Sequence, residues 1–305
     1  MMNKLEVFSS LGLKVDPFHK ASFTTGDSLR VLRILTMAVE SRAMVSIVGE
    51  RGCGKTEAVK AALKKLGVTT IHAKREDQEK LTIADIKTAL ILELSNENVK
   101  RGGVVSSMQL RRIVGEASRK QKIVVVIEEA QRLHSATLRS LKSMREIEWL
   151  SEDELFTILL VAQSDPMNRA GVSEVRLRSD CVHMQGLTDA EAAGYVRSTV
   201  GRYFDDASLE ALSDLPQAKN FLELQELLVA LLYHALTAGR EVVSEQDVRE
   251  VACRESAPLP RSGKAKPQSQ PVSSGDALKS VLAKRAATNT VTSLSDHRSV
   301  SGAEL

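Results

Sequence analysis

Eight consecutive residues, 49–56, have the residue types and spacing needed to bind a phosphate group. They read Gly-Glu-Arg-Gly-Cys-Gly-Lys-Thr and fit the pattern G-x-x-x-x-G-K-[ST] in full. Glycines let the backbone wrap around a phosphate, and the N-terminus of a following helix adds about half a positive charge. Lys55 can reach the β- and γ-phosphates, and Thr56 can offer a hydroxyl to Mg²⁺. The pattern predicts a site for ATP and Mg²⁺ built from Gly49, Glu50, Arg51, Gly52, Cys53, Gly54, Lys55, Thr56 and Glu57.

An acidic pair, Glu128-Glu129, is the second set of residues that could do chemistry. It follows directly on the apolar run 123–127, which reads Ile-Val-Val-Val-Ile. ATP hydrolysis needs a metal, a group that activates water and a cation for the developing charge. In open parallel sheets, ligands bind at the carboxyl ends of the strands. We therefore predict that Glu128 lies in the Mg²⁺ coordination sphere and that Glu129 polarises the attacking water.

Both sets of residues require a parallel sheet to bring them together. Continuous apolar runs that are rich in β-branched residues predict strands buried on both faces, and shorter runs predict further strands. The predicted strands are 44–48, 68–72, 123–127, 156–162 and 181–185. One helical pattern, 29–40, precedes the first strand, and others lie between later strands at 55–66, 82–94 and about 106–121. Alternating strands and helices predict an α/β fold with one five-stranded parallel sheet between helices.

The chain becomes purely helical after residue 187. Thr188 and Glu191 form the pattern of a capping box, and further helical patterns follow at 206–213, 221–237 and 244–253. After residue 256 the composition shifts to Pro, Ser, Lys, Gln and Gly, which is typical of disorder. We predict an irregular lead-in (1–25), an α/β domain (26–187), an α-helical lid (188–254) and a basic, mostly disordered tail (255–305).

Composition and charge narrow the class of protein. With 43% hydrophobic and 27% charged residues, the 305-residue chain is typical of globular proteins, and no apolar run approaches the ~18 residues of a membrane helix. Three cysteines and no signal-peptide pattern lead us to expect a cytoplasmic protein that does not enter a membrane. Residues 254–305 carry eight basic and four acidic side chains, whereas residues 1–253 carry 34 basic and 35 acidic ones. Any nucleic-acid contact must therefore come from a local patch or from the tail.

Over residues 10–253 the chain resembles an AAA+ ATPase. The resemblance rests on the phosphate loop, the strand that ends in Glu-Glu-Ala-Gln, a later strand with a polar end, and the helical lid. It implies that Gln163 or Ser164 acts as sensor 1, and that Lys219 is the best candidate for sensor 2. It also implies that Arg176 or Arg178 is an arginine finger for a neighbouring subunit, and hence that the chain forms a homo-oligomer. Glu128 departs from the Asp that the family usually places there.

A finer resemblance points to two related groups within AAA+ proteins. The motifs are Leu-Gly-Leu at 11–13, Asp-Pro-Phe at 16–18, and Glu-Ala-Gln-x-Leu at 129–133, followed by Leu141 and Arg145. They are similar to ExeA/GspA-type secretion ATPases and to transposition regulators such as the target-capture B protein of phage Mu. Secretion members usually continue into a membrane span, whereas this chain ends in a basic tail, which favours the transposition group. The phage protein carries a helix-turn-helix, and there is no room for one before Gly49, so we expect the AAA+ ring or filament itself to bind DNA.

The resemblance to transposition regulators implies that the protein has a contact surface for duplex DNA. In AAA+ filaments the region around the helix after the second strand faces the central pore, and its basic residues here are Lys74, Arg75, Lys100, Arg101, Arg111 and Arg112. For each of them, solvated surface charge is the alternative. We expect an ATPase that assembles as a ring or helical filament on DNA without sequence preference and delivers that DNA to a transposase or recombinase. The alternatives are a nucleotide-dependent signalling switch that binds protein, a secretion ATPase, and a helicase loader or replication initiator.

Overall fold

Five parallel strands form one sheet in the order β2-β3-β4-β1-β5. The computed structural model describes residues 3–19, 21–74, 80–172, 176 and 179–256, and all of them belong to one compact unit. The strands are β1 Met44–Val48, β2 Thr69–His72, β3 Ile123–Ile127, β4 Thr157–Ala162 and β5 Ser179–His183. Every residue of β1, β3 and β4 is buried. The predicted α/β fold with a five-stranded parallel sheet is thereby confirmed.

Helices cover both faces of the sheet, and alternate strand residues reach each of them. On one face, Val45 and Val124 pack into a core shared with α2 (Gly26–Glu40) and α3 (Lys55–Leu66). On the other face, Met44 and Val125 pack into a core shared with α4 (Ile83–Leu94), α5 (Gly103–Ser118) and α6 (Ser135–Arg145). Burying an aliphatic side chain of this size contributes about 1.5–3 kcal/mol, which is why such strands are apolar at every position.

The edge strand β5 and the start of α5 differ from the sequence prediction. The predicted strand 181–185 lies at Ser179–His183, because pairing with β1 sets Met44 opposite Ser179. Most side chains of this edge strand are at least partly exposed, so its polar residues gave no apolar pattern to follow. The helix predicted from about 106 begins at Gly103, directly after Gly102 in a backbone conformation with φ +100°.

A separate helical cluster follows the sheet and forms the lid. Its helices are α7 Asp189–Thr199, α8 Asp206–Ser213, α9 Phe221–Thr237 and α10 Glu245–Ser256. Their apolar residues share one core, which includes Leu209, Leu224 and Val248. Among the described residues, none of the helices combines the length and the apolar character needed to cross a bilayer. The predicted tail lies outside the described residues from 257 onward.

The lead-in was predicted to be irregular, and this prediction was wrong for residues 4–10. They form α1 (Lys4–Ser10), whose first turn is closed by a capping box between Asn3 and Glu6. Val7 and Phe8 are buried in the core of the lid, where Phe8 contacts Phe18 edge-to-face. A helix of seven residues is too short to show an amphipathic period, and it is marginal without tertiary packing. Burial against the lid therefore explains why it forms.

Candidate nucleotide-binding site

The phosphate loop occupies the turn between the end of β1 at Val48 and the start of α3 at Lys55. Gly52 and Gly54 have φ angles of +89° and +88°, which side-chain-bearing residues rarely adopt. These two glycines turn the chain so that α3 starts with its first N–H groups and the positive end of its dipole at the loop. The predicted order of strand, glycine-rich loop and helix is the one the structure contains.

Lys55 points its ammonium group back into the loop. Its Nζ donates to the carbonyl oxygens of Gly49 (2.8 Å) and Glu50 (2.6 Å), and lies 3.7 Å from Cys53 Sγ. A cation held at this place can exchange loop carbonyls for phosphate oxygens without a large movement of its stem. The contacts support the assignment of Lys55 as the phosphate-binding lysine.

The lid closes directly on the phosphate loop through the start of α9. Asn220 donates from Nδ2 to the carbonyl oxygen of Arg51 (2.6 Å), and the backbone N–H of Phe221 donates to that of Gly52 (3.1 Å). A Cβ on Gly52 would lie 2.1 Å from Asn220 Oδ1, so only glycine leaves room for this contact. The Phe221 ring covers Gly54, where a Cβ would lie 3.1 Å from it. Loop and lid are thus joined through main-chain carbonyls.

Thr56 and Glu128 line the same cavity, as a shared metal site requires. The cavity has a volume of about 320 Å³ and is also lined by Lys60, His72 and Val161. His72 Nδ1 lies 4.0 Å from Glu128 Oε1. A hydroxyl and a carboxylate are hard oxygen donors, and Mg²⁺ is usually held by one or two carboxylates together with nucleotide phosphates and water. The pair therefore fits an Mg²⁺ ion that arrives with the nucleotide.

Glu129 stands at the end of β3 in a left-handed backbone conformation, with φ 52° and ψ 36°. Such a conformation is uncommon for a residue other than Gly, Asn or Asp, and it costs of order 1 kcal/mol. Its Oε2 atom accepts a hydrogen bond from Gln131 Nε2 (2.6 Å) and lies 3.5 Å from Arg132 Nε. The side chain is about half exposed, so water can reach the carboxylate.

The residues after β4 lie beside this acidic pair, because β4 is hydrogen-bonded to both β3 and β1. The backbone N–H of Gln163 donates to Gln131 Oε1 (3.1 Å), and the side chains of Gln163 and Ser164 are exposed. The sheet order thus brings the phosphate loop, Glu128 and Gln163 to the carboxyl ends of three adjacent strands. The assignment of Gln163 or Ser164 as the group that positions water stays a prediction.

The remaining nucleotide-site predictions concern sensor 2, assigned to Lys219, and the arginine finger, assigned to Arg176 or Arg178. Leu187 donates its N–H to the carbonyl of Lys219 (2.9 Å), and the Lys219 side chain is exposed. The lid residue that bonds the phosphate loop is its neighbour Asn220. Arg176 is exposed and lies shortly before β5, while Arg178 falls outside the described residues. Sensor 2 and the arginine finger therefore stay predictions.

The candidate DNA-contacting side chains lie between β2 and β3 and differ in their surroundings. Lys74, Lys100, Arg101 and Arg111 are exposed, and Arg75 lies outside the described residues. Arg112 instead pairs with Glu97 and, at 3.5 Å, with Glu116. The hydrogen bond that Arg112 donates to Glu97 raises the pKa of the Arg112 guanidinium and lowers the pKa of the Glu97 carboxyl. The charge of Arg112 is thus compensated within the chain, which leaves the other four as the stronger candidates.

Two residues at the site were not foreseen as participants. Asn220 carries a weak sequence signal, since an Asn immediately before a long apolar helix is a favoured N-cap, and its Oδ1 does accept from Leu222 N (3.0 Å). Gln131 was noted only as a member of the Glu-Ala-Gln-x-Leu motif at 129–133, and no role was predicted for its side chain. Its position between Glu129 and Gln163 depends on the neighbourhood of β3 and β4, which no local pattern encodes.

Comparisons with known proteins agree with this geometry. Residues 38–168 match a family described as an AAA domain. The solved structures with the same fold include Cdc6p from Pyrobaculum aerophilum, at 14% identity and a TM-score of 0.55 over 81% of this chain and 70% of that chain. They also include the Aeropyrum pernix ORC2 protein in ADPNP-ADP complexes, at 18% identity and a TM-score of 0.53 over 75% of this chain and 67% of that one. A third is Drosophila ORC bound to DNA, at 10% identity and a TM-score of 0.54 over 83% of this chain and 66% of that one.

A comparison with curated proteins gave no significant match. The similarity to solved structures is too low in sequence to show more than the fold. The match to the AAA domain is more specific than the shared fold. The matched residues include β1, the phosphate loop and the acidic pair after β3. The matched AAA domain, the AAA+ type of fold and the phosphate loop together indicate that the chain is an ATPase.

Proposed function

We propose that this ATPase binds duplex DNA without sequence preference in its ATP-bound form, oligomerises on it, and delivers it to a transposase or recombinase. One observation carries the proposal. The segment that holds the exposed basic residues Lys74, Lys100, Arg101 and Arg111 begins at the end of β2 and returns to the sheet at β3. The start of this segment lies beside the nucleotide site, because His72 at the end of β2 approaches Glu128 after β3 within 4.0 Å. We expect a change at the Glu128 carboxylate to reach the start of the basic segment through His72.

The residues at the strand ends supply the parts that phosphoryl transfer needs. N–H groups of the loop and of the first turn of α3 hold the phosphates, and Lys55 exchanges its loop carbonyls for phosphate oxygens. Thr56 and Glu128 would hold Mg²⁺, which would supply positive charge against the nucleotide phosphates. Glu129 polarises the attacking water, and Gln163 or Ser164 positions it. Arg176 or Arg178 of a neighbouring copy stabilises the transition-state charge, so hydrolysis depends on assembly.

DNA binding is supported by charge and by fold. Lys and Arg side chains that contact phosphates supply most of the affinity of non-specific binding, and no base reading is required. Residues 1–253 are close to neutral, so an exposed basic segment stands out against them. Drosophila ORC, whose structure was solved bound to DNA, shares this fold. The role in transposition is supported by the sequence motifs shared with the transposition regulators and by the basic tail.

The test is the retention of a random-sequence duplex by the protein with ATP, with ADP and without nucleotide, imaged by negative stain. We expect ATP-dependent rings or filaments on DNA. Reversing two charges, Lys100→Glu with Arg101→Glu, should weaken binding by about ten-fold or more and make its salt dependence shallower. Lys14→Glu with Lys65→Glu is the matched control, since both residues are exposed, carry the same charge and lie outside the segment. Equal losses in both variants would show a net-charge effect without a defined surface.

A nucleotide-dependent switch that binds protein is the second candidate. It is favoured by Glu128 in the place of the usual Asp, since that departure suits slow turnover. Such a switch predicts tight nucleotide binding and no retention of DNA in any nucleotide state. The DNA experiment therefore separates the two candidates, and turnover measured with and without DNA shows whether DNA regulates hydrolysis.

A further inference from the structure

One amide side chain joins the ends of two strands in the nucleotide site. Gln131 lies in a 3-10 turn, Ala130–Arg132, directly after β3. Its Nε2 donates to the carboxylate of Glu129 (2.6 Å), and its Oε1 accepts from the backbone N–H of Gln163 (3.1 Å) at the end of β4. Both ends of the amide are thus used, one toward the candidate base and one toward the strand that carries the water-positioning candidates.

The carboxylate of Glu129 needs such a support. Its backbone lies in the left-handed region and its side chain is about half exposed, so packing restrains its rotamer only in part. Arg132 is a weaker restraint, because its Nε is 3.5 Å away and its side chain is 77% exposed. A group that activates water must be held within about half an ångström of its working position.

The glutamine amide supplies both the donor and the acceptor that these two bonds require. A carboxylate would still accept from the Gln163 N–H, but it would place a second negative charge beside Glu129. An ammonium group could donate to Glu129, but it could not accept from the backbone. The chemistry of the bridge therefore selects glutamine, and asparagine is too short by one methylene to span the same two partners.

We propose that Gln131 is a positioning residue for hydrolysis, which fixes the carboxylate of Glu129 relative to the end of β4. The proposal rests on the catalytic role given to Glu129 above. The Glu129 carboxylate and the end of β4 then move as one unit. A displacement of Gln163 by the γ-phosphate therefore also displaces the Glu129 carboxylate. Arg132, on the same turn, is not part of this bridge.

The test compares three single variants of the full chain by steady-state and single-turnover ATPase assays. Gln131→Ala removes both bonds, and we expect kcat to fall roughly ten- to a hundred-fold with KM for ATP nearly unchanged. Gln131→Glu keeps the bond from Gln163 and loses the donor to Glu129, so it should fall at least as far as Gln131→Ala. Arg132→Ala is the control on the same turn and should change kcat by no more than about three-fold. Melting temperatures should match that of the unmodified chain.

Three results would overturn the proposal. If Gln131→Glu retained full activity, the bridge would serve only to hold β4. If Gln131→Ala lowered single-turnover rates by the same factor in a Glu129→Gln background, the two residues would act independently. A rise in kcat would also refute it, because the amide would then restrain the base. Retention of DNA by Gln131→Ala in ATP is scored separately, so failure of the DNA-binding proposal leaves this inference standing, and the reverse holds as well.

Discussion

Asn220 combines two functions that can be separated by substitution. Its Oδ1 caps α9 by accepting from the N–H groups of Leu222 (3.0 Å) and Glu223 (3.4 Å). Its Nδ2 donates to the carbonyl of Arg51 in the phosphate loop (2.6 Å). Asn220→Ser keeps an uncharged cap but cannot reach the loop, whereas Asn220→Ala loses both bonds. The pair of variants therefore reports the cap and the loop contact independently.

The expected magnitudes follow from these contacts. Loss of an N-cap costs about 1 kcal/mol, which for a chain of this size lowers Tm by roughly 2–4 °C. We expect that loss in Asn220→Ala and little of it in Asn220→Ser. Loss of the bond to Arg51 costs about 1 kcal/mol of loop order, which corresponds to about a five-fold weaker Kd for ATP in both variants. The effect stays this small because the bond from the Phe221 N–H to Gly52 remains.

Thermal unfolding followed by circular dichroism measures the first effect, and titration with a fluorescent ATP analogue measures the second. Equal loss of Tm in the two variants would show that the cap does not stabilise α9. Tighter ATP binding in either variant would refute the reasoning about the loop, since the lid would then compete with the nucleotide. Unchanged affinity in both would show that the contact between lid and loop has no part in binding.

Three further predictions test other parts of the molecule. Lys55→Ala should abolish nucleotide binding, measured by the same titration, and with it assembly; normal assembly on DNA would remove the phosphate-loop assignment. Glu129→Gln should keep ATP binding and trap the DNA-bound state in filter retention, while unchanged turnover would exclude Glu129 from catalysis. In the lid, burial alone would raise the pKa of Asp247, but hydrogen bonds from Ser244, Arg240 and His234 outweigh it and lower that pKa to about 2. Because 3.8 is its ordinary value, the carboxylate should contribute about 2 kcal/mol above roughly pH 4 and lose it as pH falls toward 2. Urea unfolding between pH 5 and pH 2 measures this loss, and Asp247→Asn should flatten the profile.

The parts of the fold that the sequence predicted are those with a local signature. The runs 44–48 and 123–127 are apolar at nearly every position because both faces of these strands are covered, and the structure confirms both. The phosphate loop was predictable because its glycines, Lys55 and Thr56 have fixed spacing. Glu128 and Glu129 followed from the rule that ligands bind at the carboxyl ends of parallel strands.

The parts that could not be predicted depend on contacts distant in sequence. Asn220 meets Arg51 across 169 positions, and Gln131 meets Gln163 across 32 positions. Neither pair has a periodic pattern or a fixed spacing. The strand β5 was shifted by two residues in the prediction because an edge strand is set by pairing with its neighbour and not by its own apolar residues. Arg112 looked like a free cation because its partner Glu97 lies fifteen residues away in a loop.

The contacts of the phosphate loop also determine what moves together when the loop changes. Phe221, whose N–H bonds Gly52, packs edge-to-face on Tyr195 with ring centroids 5.1 Å apart. Tyr195 in turn stacks on Phe18 at 6.3 Å, and Phe18 lies in the same core as Phe8 of α1. Close-packed cores transmit displacement because they hold few voids. We therefore expect a shift of the loop carbonyls to be passed to α9, α7 and the N-terminal segment. A shift at Glu128 should instead reach His72, 4.0 Å away, and the start of the basic segment between β2 and β3. We therefore predict that substitutions at Asn220 affect the first of these paths without removing the second.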